Sequence, residues 1–86
     1  MNQKPLKGKV ALITGGGGPA MGRAHCLSLS RLGAHIIILD KQEDQAKITA
    51  KEISSIDGTS ETLIEDIENL SEVILIIGKI LKNQSI

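Results

Sequence analysis

The 86-residue sequence contains no phenylalanine, tyrosine or tryptophan. Because aromatic side chains usually supply much of the buried area of a core, the core of this chain has to be aliphatic. The only cysteine, Cys26, excludes an internal disulfide and fits a reducing compartment. A domain of this length buries only about 60% of the surface that its unfolded chain exposes, so we expect its stability to be small.

An excess of charge of one sign and long apolar runs are also absent. Ten basic residues balance ten acidic ones, so no basic field is present to hold nucleic acid or an anionic membrane. The longest apolar runs, 36–39 and 73–77, are too short to span a bilayer. The first ten residues lack the apolar stretch of a secretory signal. We therefore expect a cytoplasmic protein that binds neither nucleic acid nor membrane.

Short apolar runs alternate with amphipathic segments along the chain. The predicted strands are Val10–Ile13, His35–Asp40 and Thr59–Ile64. The predicted helices are Pro19–Leu32, Glu43–Ile56 and a third one that begins at Asn69. The first two strands are continuous apolar runs, which are typical of strands buried on both faces. The order β-α-β-α-β-α predicts an α/β fold with a three-stranded parallel sheet and right-handed crossovers.

A cluster of glycines, Gly15 to Gly18, lies between the first strand and the first helix, and Gly22 follows four residues later. Glycines at this point let the backbone turn tightly and approach a phosphate closely. The N-terminus of the helix offers free N–H groups and a partial positive charge. The context of strand, glycines and helix therefore favours a pyrophosphate site. The alternative is a flexible turn without a ligand.

Asp40 ends the second predicted strand, 18 residues after Gly22. A carboxylate there can accept hydrogen bonds from both hydroxyls of an adenosine ribose, and its charge would repel the 2′-phosphate of NADP. We therefore expect NAD as the cofactor and NADP as the less favoured one, although Lys41 weakens the exclusion of NADP. The alternative is a solvated aspartate at the end of a strand.

Two further features are candidates for a functional role, and each has a structural alternative. Asp66, followed by Ile67, comes after the third predicted strand, and the residues alone do not distinguish a ligand contact from an ordinary loop aspartate. His25 and Cys26 are adjacent in a helix and therefore point about 100° apart, so they do not form a nucleophile–base pair. We expect Cys26 to face the sheet as a small core residue. One cysteine and two histidines without ligand spacing predict no metal site.

These segments together resemble a known family. Residues 7–15 (KGKVALITG) and 22–34 (GRAHCLSLSRLGA) resemble the first strand, the first helix and the following turn of short-chain dehydrogenases/reductases. Residues 36–40 resemble the second strand with its NAD-selecting acid. Asp66-Ile67 resembles the Asp-hydrophobe pair whose side chain and following amide contact adenine. The resemblance implies a partial Rossmann fold whose cofactor-binding residues are Gly15, Gly17, Gly18, Met21, Gly22, Asp40, Asp66 and Ile67.

The sequence departs from the family pattern in two ways. The interval from Thr14 to Gly22 is one residue longer than usual, and Pro19 takes the place of the middle glycine unless Gly18 does. Proline has no N–H to donate to a phosphate. The family's Asn-Asn-Ala-Gly segment, catalytic serine, Tyr-x-x-x-Lys pair and usual oligomer interface would all lie beyond Ile86. The resemblance therefore implies no catalytic residue within this chain.

The favoured interpretation is that residues 1–86 are the N-terminal, incomplete part of an NAD(P)-binding domain. The parent protein would be an NAD-dependent oxidoreductase that transfers a hydride between an alcohol and a ketone. The chain itself would bind the adenosine-pyrophosphate part of the dinucleotide. The alternative is a small non-catalytic module, complete in itself, that binds a nucleotide or a partner subunit. A gene continuation that encodes Tyr-x-x-x-Lys would support the first interpretation.

Overall fold

The computed structural model describes residues 4–18 and 21–65, which form three strands and two helices. The elements are β1 (Val10–Thr14), α1 (Met21–Arg31), β2 (His35–Asp40), α2 (Glu43–Ser55) and β3 (Ser60–Ile64). Their bounds agree with the predicted ones to within two residues. The helix predicted from Asn69 lies outside the described residues, as does Pro19, the predicted start of the first helix.

The three strands form one parallel sheet in the order β1-β2-β3. Val10 pairs with His35 at the start of β1, and Ile36 pairs with Ser60 at the start of β3. The predicted α/β fold with a three-stranded parallel sheet is therefore confirmed. Because the strands run in the same direction, their carboxyl ends, Thr14 and Asp40 among them, lie at one end of the sheet.

One aliphatic core holds the two helices against the sheet. The buried residues that form it are Cys26, Ala34, Ile36, Ile38, Ala46 and Ile53. The helices contribute mainly small side chains, so their backbones approach the strands closely, and the isoleucines fill the space between. Complete burial of each isoleucine stabilises the fold by roughly 1.5–3 kcal/mol. The prediction that Cys26 is a small core residue is confirmed, since it is fully buried.

Burial differs between the two strands that were predicted to be covered on both faces. In β2 the prediction is correct, because Ile37 and Leu39, on the face opposite the core, are 0% and 2% exposed. In β1 it is wrong, because Leu12 is 41% exposed. Among the described residues β2 has a strand on each side, whereas β1 pairs only with β2, so fewer neighbouring side chains crowd around Leu12.

The turns after both helices stop the helical hydrogen bonding with a left-handed residue. Gly33 has φ +105°, and its N–H donates to the carbonyl of Ser30 at 2.9 Å. Asp57 has φ 62°, and its N–H donates to the carbonyl of Ser54 at 3.0 Å. A left-handed residue directly after the last turn is a common way for a helix to end. Neither of the described helices is long and apolar enough to cross a membrane.

Candidate functional site

The loop after β1 begins with a tight turn at the carboxyl end of the sheet. Gly15 has φ +67°, a conformation that glycine adopts without strain. Its N–H donates to the carbonyl of Leu39 at 2.7 Å, and its carbonyl accepts from the N–H of Gly18 at 3.0 Å. The first bond fixes the loop to β2, and the second closes the turn. The backbone is thereby directed from β1 towards the start of α1.

Gly22 lies in the first turn of α1, in direct contact with this loop. A Cβ atom at residue 22 would collide with the carbonyl oxygen of Gly15, so no other residue fits without displacing the backbone. The absence of a side chain brings the beginning of α1 against the end of β1. Since the first N–H groups of a helix have no intrahelical acceptor, donors are concentrated here together with the positive end of the helix dipole.

The middle of the loop is buried and is supported by side chains from both helices. The carbonyl of Gly16 accepts a hydrogen bond of 3.1 Å from Oγ1 of Thr49 and a contact of 3.7 Å from Sγ of Cys26. A Cβ at residue 16 would lie 3.0 Å from Sγ of Cys26, so the loop fits closely against α1. Burial raises the pKa of the Cys26 thiol from 9.0 to about 11, and the thiol therefore stays protonated near neutral pH.

Asp40 joins the glycine loop to the end of β2. Its Oδ2 accepts a hydrogen bond from the N–H of Gly17 at 3.1 Å, and its Oδ1 accepts from the N–H of Gln42 at 2.9 Å. A carboxylate has about four acceptor positions, so two remain for a ligand. The two backbone bonds fix the direction of the carboxylate. The side chain is half-buried at the carboxyl end of the sheet, with its charge next to the loop.

Arg23 forms a second connection that the sequence analysis missed. Its Nη2 donates to the carbonyl of Gly17 and to Oε1 of Gln45, both at 2.9 Å. Its Nε donates to Oγ1 of Thr49 at 2.9 Å and lies 3.6 Å from the carboxylate of Glu52. The side chain is only 16% exposed. Arg23 therefore links the loop, α1 and α2 in one polar network.

A signal for this network is present in the sequence. Thr49 is a polar residue three positions after Ala46 and four before Ile53, so it lies within the apolar stripe of α2. A buried hydroxyl needs a partner, and Arg23 is the nearest basic residue to the glycine loop along the chain. The sequence does not show that α1 contacts α2, and this contact is what brings the two side chains together.

The structure brings part of the predicted site together. Gly15, Gly17, Gly22 and Asp40 meet at the carboxyl ends of β1 and β2 and the start of α1. Gly18, which is half-buried, belongs to the same loop, whereas Met21 begins α1 with a side chain that is 71% exposed. Asp66 and Ile67 lie outside the described residues.

The sequence relationships agree with this geometry. Residues 9–85 match the family described as short chain dehydrogenase. Among curated proteins, the short chain dehydrogenase/reductase dpfgG of Gibberella zeae is 37% identical over 68 residues. The matched region is 79% of this chain and 24% of that protein. The chain thus spans about a quarter of the length of this relative.

Solved structures share the arrangement of the elements. The citronellol catabolism dehydrogenase of Pseudomonas aeruginosa PAO1 matches with a TM-score of 0.86 at 26% identity, over 99% of this chain and 35% of that one. A metagenomic short-chain oxidoreductase in complex with NADP has a TM-score of 0.85 at 22% identity, over 94% of this chain and 36% of that chain.

An NAD⁺-bound xylitol dehydrogenase also has a TM-score of 0.85 at 24% identity, over 95% of this chain and 31% of that chain. At the identities of these last two proteins, the likeness concerns the fold. The predicted Rossmann arrangement and the resemblance noted in the sequence are confirmed by these matches together. The chain belongs to the short-chain dehydrogenase/reductase family.

Proposed function

We propose that this chain binds the adenosine and pyrophosphate part of a dinucleotide, with NAD preferred over NADP. The observation that carries the proposal is the hydrogen bond between the carboxylate of Asp40 and the N–H of Gly17. It holds an acceptor for ribose hydroxyls beside a glycine loop that leads into a helix N-terminus. These are the two parts that a dinucleotide site of this fold requires.

The pyrophosphate would be held by the glycine loop and the first turn of α1. The direct contact between Gly15 and Gly22 keeps side chains away from the start of α1, so a phosphate oxygen can reach the first N–H groups of the helix. The N–H groups of Gly15, Gly17 and Gly18 already donate to Leu39, Asp40 and Gly15, so these glycines would shape the loop around the phosphate. The positive end of the helix dipole favours the negative charge of the ligand. Gly15, Gly17, Gly18, Met21 and Gly22 are the residues proposed for this part of the site, and Asp66 and Ile67 are proposed for the adenine.

Asp40 would hold the ribose and select the cofactor. The two acceptor positions left on its carboxylate suit the two ribose hydroxyls of NAD. In NADP the 2′-phosphate would meet a carboxylate that two backbone bonds prevent from turning away. The charge of Lys41, the next residue, is exposed and is free to turn towards solvent. The preference for NAD therefore rests on Asp40.

The wider activity that we propose belongs to a protein of the relatives' full length. There the nicotinamide supplies the hydride chemistry, between an alcohol and a ketone, and the protein supplies binding and orientation. The residues of this chain would contribute the first half of that binding. They would bind the adenosine end of the dinucleotide. The nicotinamide end would be bound by segments that correspond to the remaining three quarters of the relative from Gibberella zeae.

Calorimetric titrations with pieces of the cofactor test this proposal. ADP-ribose, which carries adenosine and pyrophosphate, should bind the chain within about threefold of the affinity of NAD⁺, a difference of about 0.7 kcal/mol or less. Nicotinamide riboside, which carries no phosphate group, should not bind measurably at the same concentrations. Equal binding of nicotinamide riboside and ADP-ribose, or no binding of ADP-ribose, would contradict the proposal.

A further inference from the structure

A second cleft lies at the opposite end of the sheet from the glycine loop. It has a volume of about 330 Å³ and opens to solvent. It is lined by Lys4, Lys7, Ser30, Gly33, Ala34, Asp57, Gly58 and Thr59. These residues come from the segment before β1, the end of α1 and the turn after α2. The six residues of β2 separate this cleft from Asp40, a distance of about 20 Å at the usual rise of a strand.

Ser30 places a buried hydroxyl without a partner in this cleft. The residue is 3% exposed, and its Oγ has no hydrogen-bond partner among the described residues. Such a group destabilises the fold when it stays unpaired. A Cβ at residue 58 would collide with this oxygen, so the backbone of Gly58 lies directly against the hydroxyl. The cleft thus contains a donor that lacks an acceptor.

Two lysines line the same cleft. Lys4 and Lys7 are exposed, and neither forms an ion pair within the described part of the chain. Their backbone is nevertheless fixed, because the N–H of Lys7 donates to the carbonyl of Lys4 at 3.0 Å and the N–H of Leu6 donates to the carbonyl of Leu32 at 2.9 Å. The second bond ties this segment to the end of α1, next to Ser30.

The carbonyl groups at the end of α1 are already engaged. The carbonyl of Leu29 accepts from the N–H groups of Leu32 and Ala34, both at 3.1 Å, and the carbonyl of Ser30 accepts from Gly33. These carbonyls are therefore not free to accept hydrogen bonds from the lysine ammonium groups or from the hydroxyl of Ser30. Lysine ammonium groups and a hydroxyl that needs an acceptor suit an oxyanion.

We infer that this cleft binds a phosphate group, either as inorganic phosphate or at the end of a small phosphomonoester. Lys4 and Lys7 would neutralise the charge, and the hydroxyl of Ser30 would donate to a phosphate oxygen. Asp57, the acidic residue of the lining, can accept a hydrogen bond from the protonated oxygen of a hydrogen phosphate. Sulfate has no such proton, whereas inorganic phosphate carries one and a phosphomonoester, whose second pKa is about 6, still carries one in part at pH 6. At pH 6 the cleft should therefore discriminate both phosphates from sulfate.

Amide shifts in ¹H–¹⁵N spectra of the full chain test the inference at constant ionic strength. Inorganic phosphate and glycerol 3-phosphate, titrated separately, should shift the amides of Gly33 and Gly58 in a saturable way. Saturation by both probes indicates a site for the phosphate group, and saturation by glycerol 3-phosphate alone indicates a site for its esters. Sulfate should bind at least about tenfold more weakly than phosphate, a difference of about 1.4 kcal/mol. Saturating NAD⁺ should leave these shifts unchanged.

Matched variants separate the site from nonspecific attraction. Lys7→Gln and Ser30→Ala should each weaken phosphate binding about tenfold, or 1.4 kcal/mol. Ser30→Ala removes an unpaired buried group, so it should not unfold the chain. Lys9→Gln and Ser28→Ala, which change exposed residues outside the cleft, should leave the affinity unchanged.

Two results would overturn the inference. The first is a phosphate titration in which Gly33 and Gly58 do not shift or do not saturate. The second is an equal loss of affinity in Lys7→Gln and Lys9→Gln. Shifts confined to Gly15 and Gly17 would place phosphate only in the glycine loop, which would reject the second site and support the proposed nucleotide site. The two proposals therefore fail independently.

Discussion

The carbonyl oxygen of Gly17 accepts a hydrogen bond of 2.9 Å from Nη2 of Arg23. The N–H of the same glycine donates to Asp40 at 3.1 Å. The backbone of this one buried residue is therefore held by a cation on its carbonyl and by a carboxylate on its N–H. Because both partners are side chains of regular elements, α1 and β2 fix the loop without a ligand.

Replacement of Arg23 tests this arrangement. Arg23→Gln should lower the free energy of unfolding by about 1.5–3 kcal/mol, because it removes charge-assisted hydrogen bonds from a side chain that is largely buried. Arg23→Lys should recover only part of the loss, since lysine cannot bond Gly17 and Thr49 with one planar group. Urea unfolding followed by circular dichroism gives the measurement.

Lys51→Gln is the control for the loss of a charge, because Lys51 is exposed on α2. Its effect should stay within about 0.5 kcal/mol. If Arg23→Gln lowered the free energy of unfolding as little as this control, the network around Gly17 would not stabilise the chain.

A side chain at residue 17 should disturb both packing and binding. In Gly17→Ala the new Cβ would lie 2.7 Å from the backbone nitrogen of Ala46 and 2.9 Å from Oδ2 of Asp40. We expect a loss of about 1–3 kcal/mol in the free energy of unfolding, because the contact is with backbone that cannot move alone. The displaced carboxylate should also weaken the binding of NAD⁺, measured by calorimetry.

Gly8→Ala is the matched control for this change. Gly8 has φ +83°, and a Cβ added there would have nothing within 4 Å. Alanine at this position is therefore strained by about 1–2 kcal/mol in its backbone, but its Cβ collides with no other atom. The affinity for NAD⁺ should be unchanged in this variant. A similar loss of affinity in both variants would show that overall destabilisation, rather than the position of Asp40, is responsible.

The buried thiol of Cys26 predicts a loss of stability at alkaline pH. Because burial raises its pKa from 9.0 to about 11, the folded state holds the proton more tightly than the unfolded state. The resulting stabilisation is fully present below pH 9 and is lost as the pH rises towards 11. Thermal midpoints measured across this range should therefore fall more steeply in the native chain than in Cys26→Ala. Parallel slopes for the two proteins would refute the assignment.

The order of the elements and the place of Asp40 could be predicted from the sequence for a physical reason. The run from Ile36 to Leu39 is apolar at every position, as expected for a strand covered on both faces, and Asp40 ends it at the first charged residue. The same argument failed for Leu12, because an apolar run does not say which elements cover the two faces of its strand.

The network behind the glycine loop could not be predicted. Arg23 and Thr49 lie on different helices, and nothing in their sequence spacing says that the two helices meet there. Their partners within the loop are the backbone carbonyls of Gly16 and Gly17, a group that every residue type possesses. The roles of Asp66 and Ile67 stay predictions, since these residues lie outside the described part of the chain.

The affinity ratio of NAD⁺ to NADP⁺ tests the central claim most directly. Dissociation constants for both cofactors would be measured by calorimetry with the unmutated chain, Asp40→Ala and Asp44→Ala. Asp40→Ala also frees the N–H of Gly17, which can alter the affinity for both cofactors alike. The ratio of the two dissociation constants therefore reports on cofactor selection better than either constant alone. We expect NAD⁺ to bind at least about tenfold more tightly than NADP⁺, since the negative 2′-phosphate of NADP⁺ would meet the negative carboxylate of Asp40. The ratio should approach one in Asp40→Ala and stay unchanged in Asp44→Ala, whereas equal affinities in the unmutated chain would contradict the account.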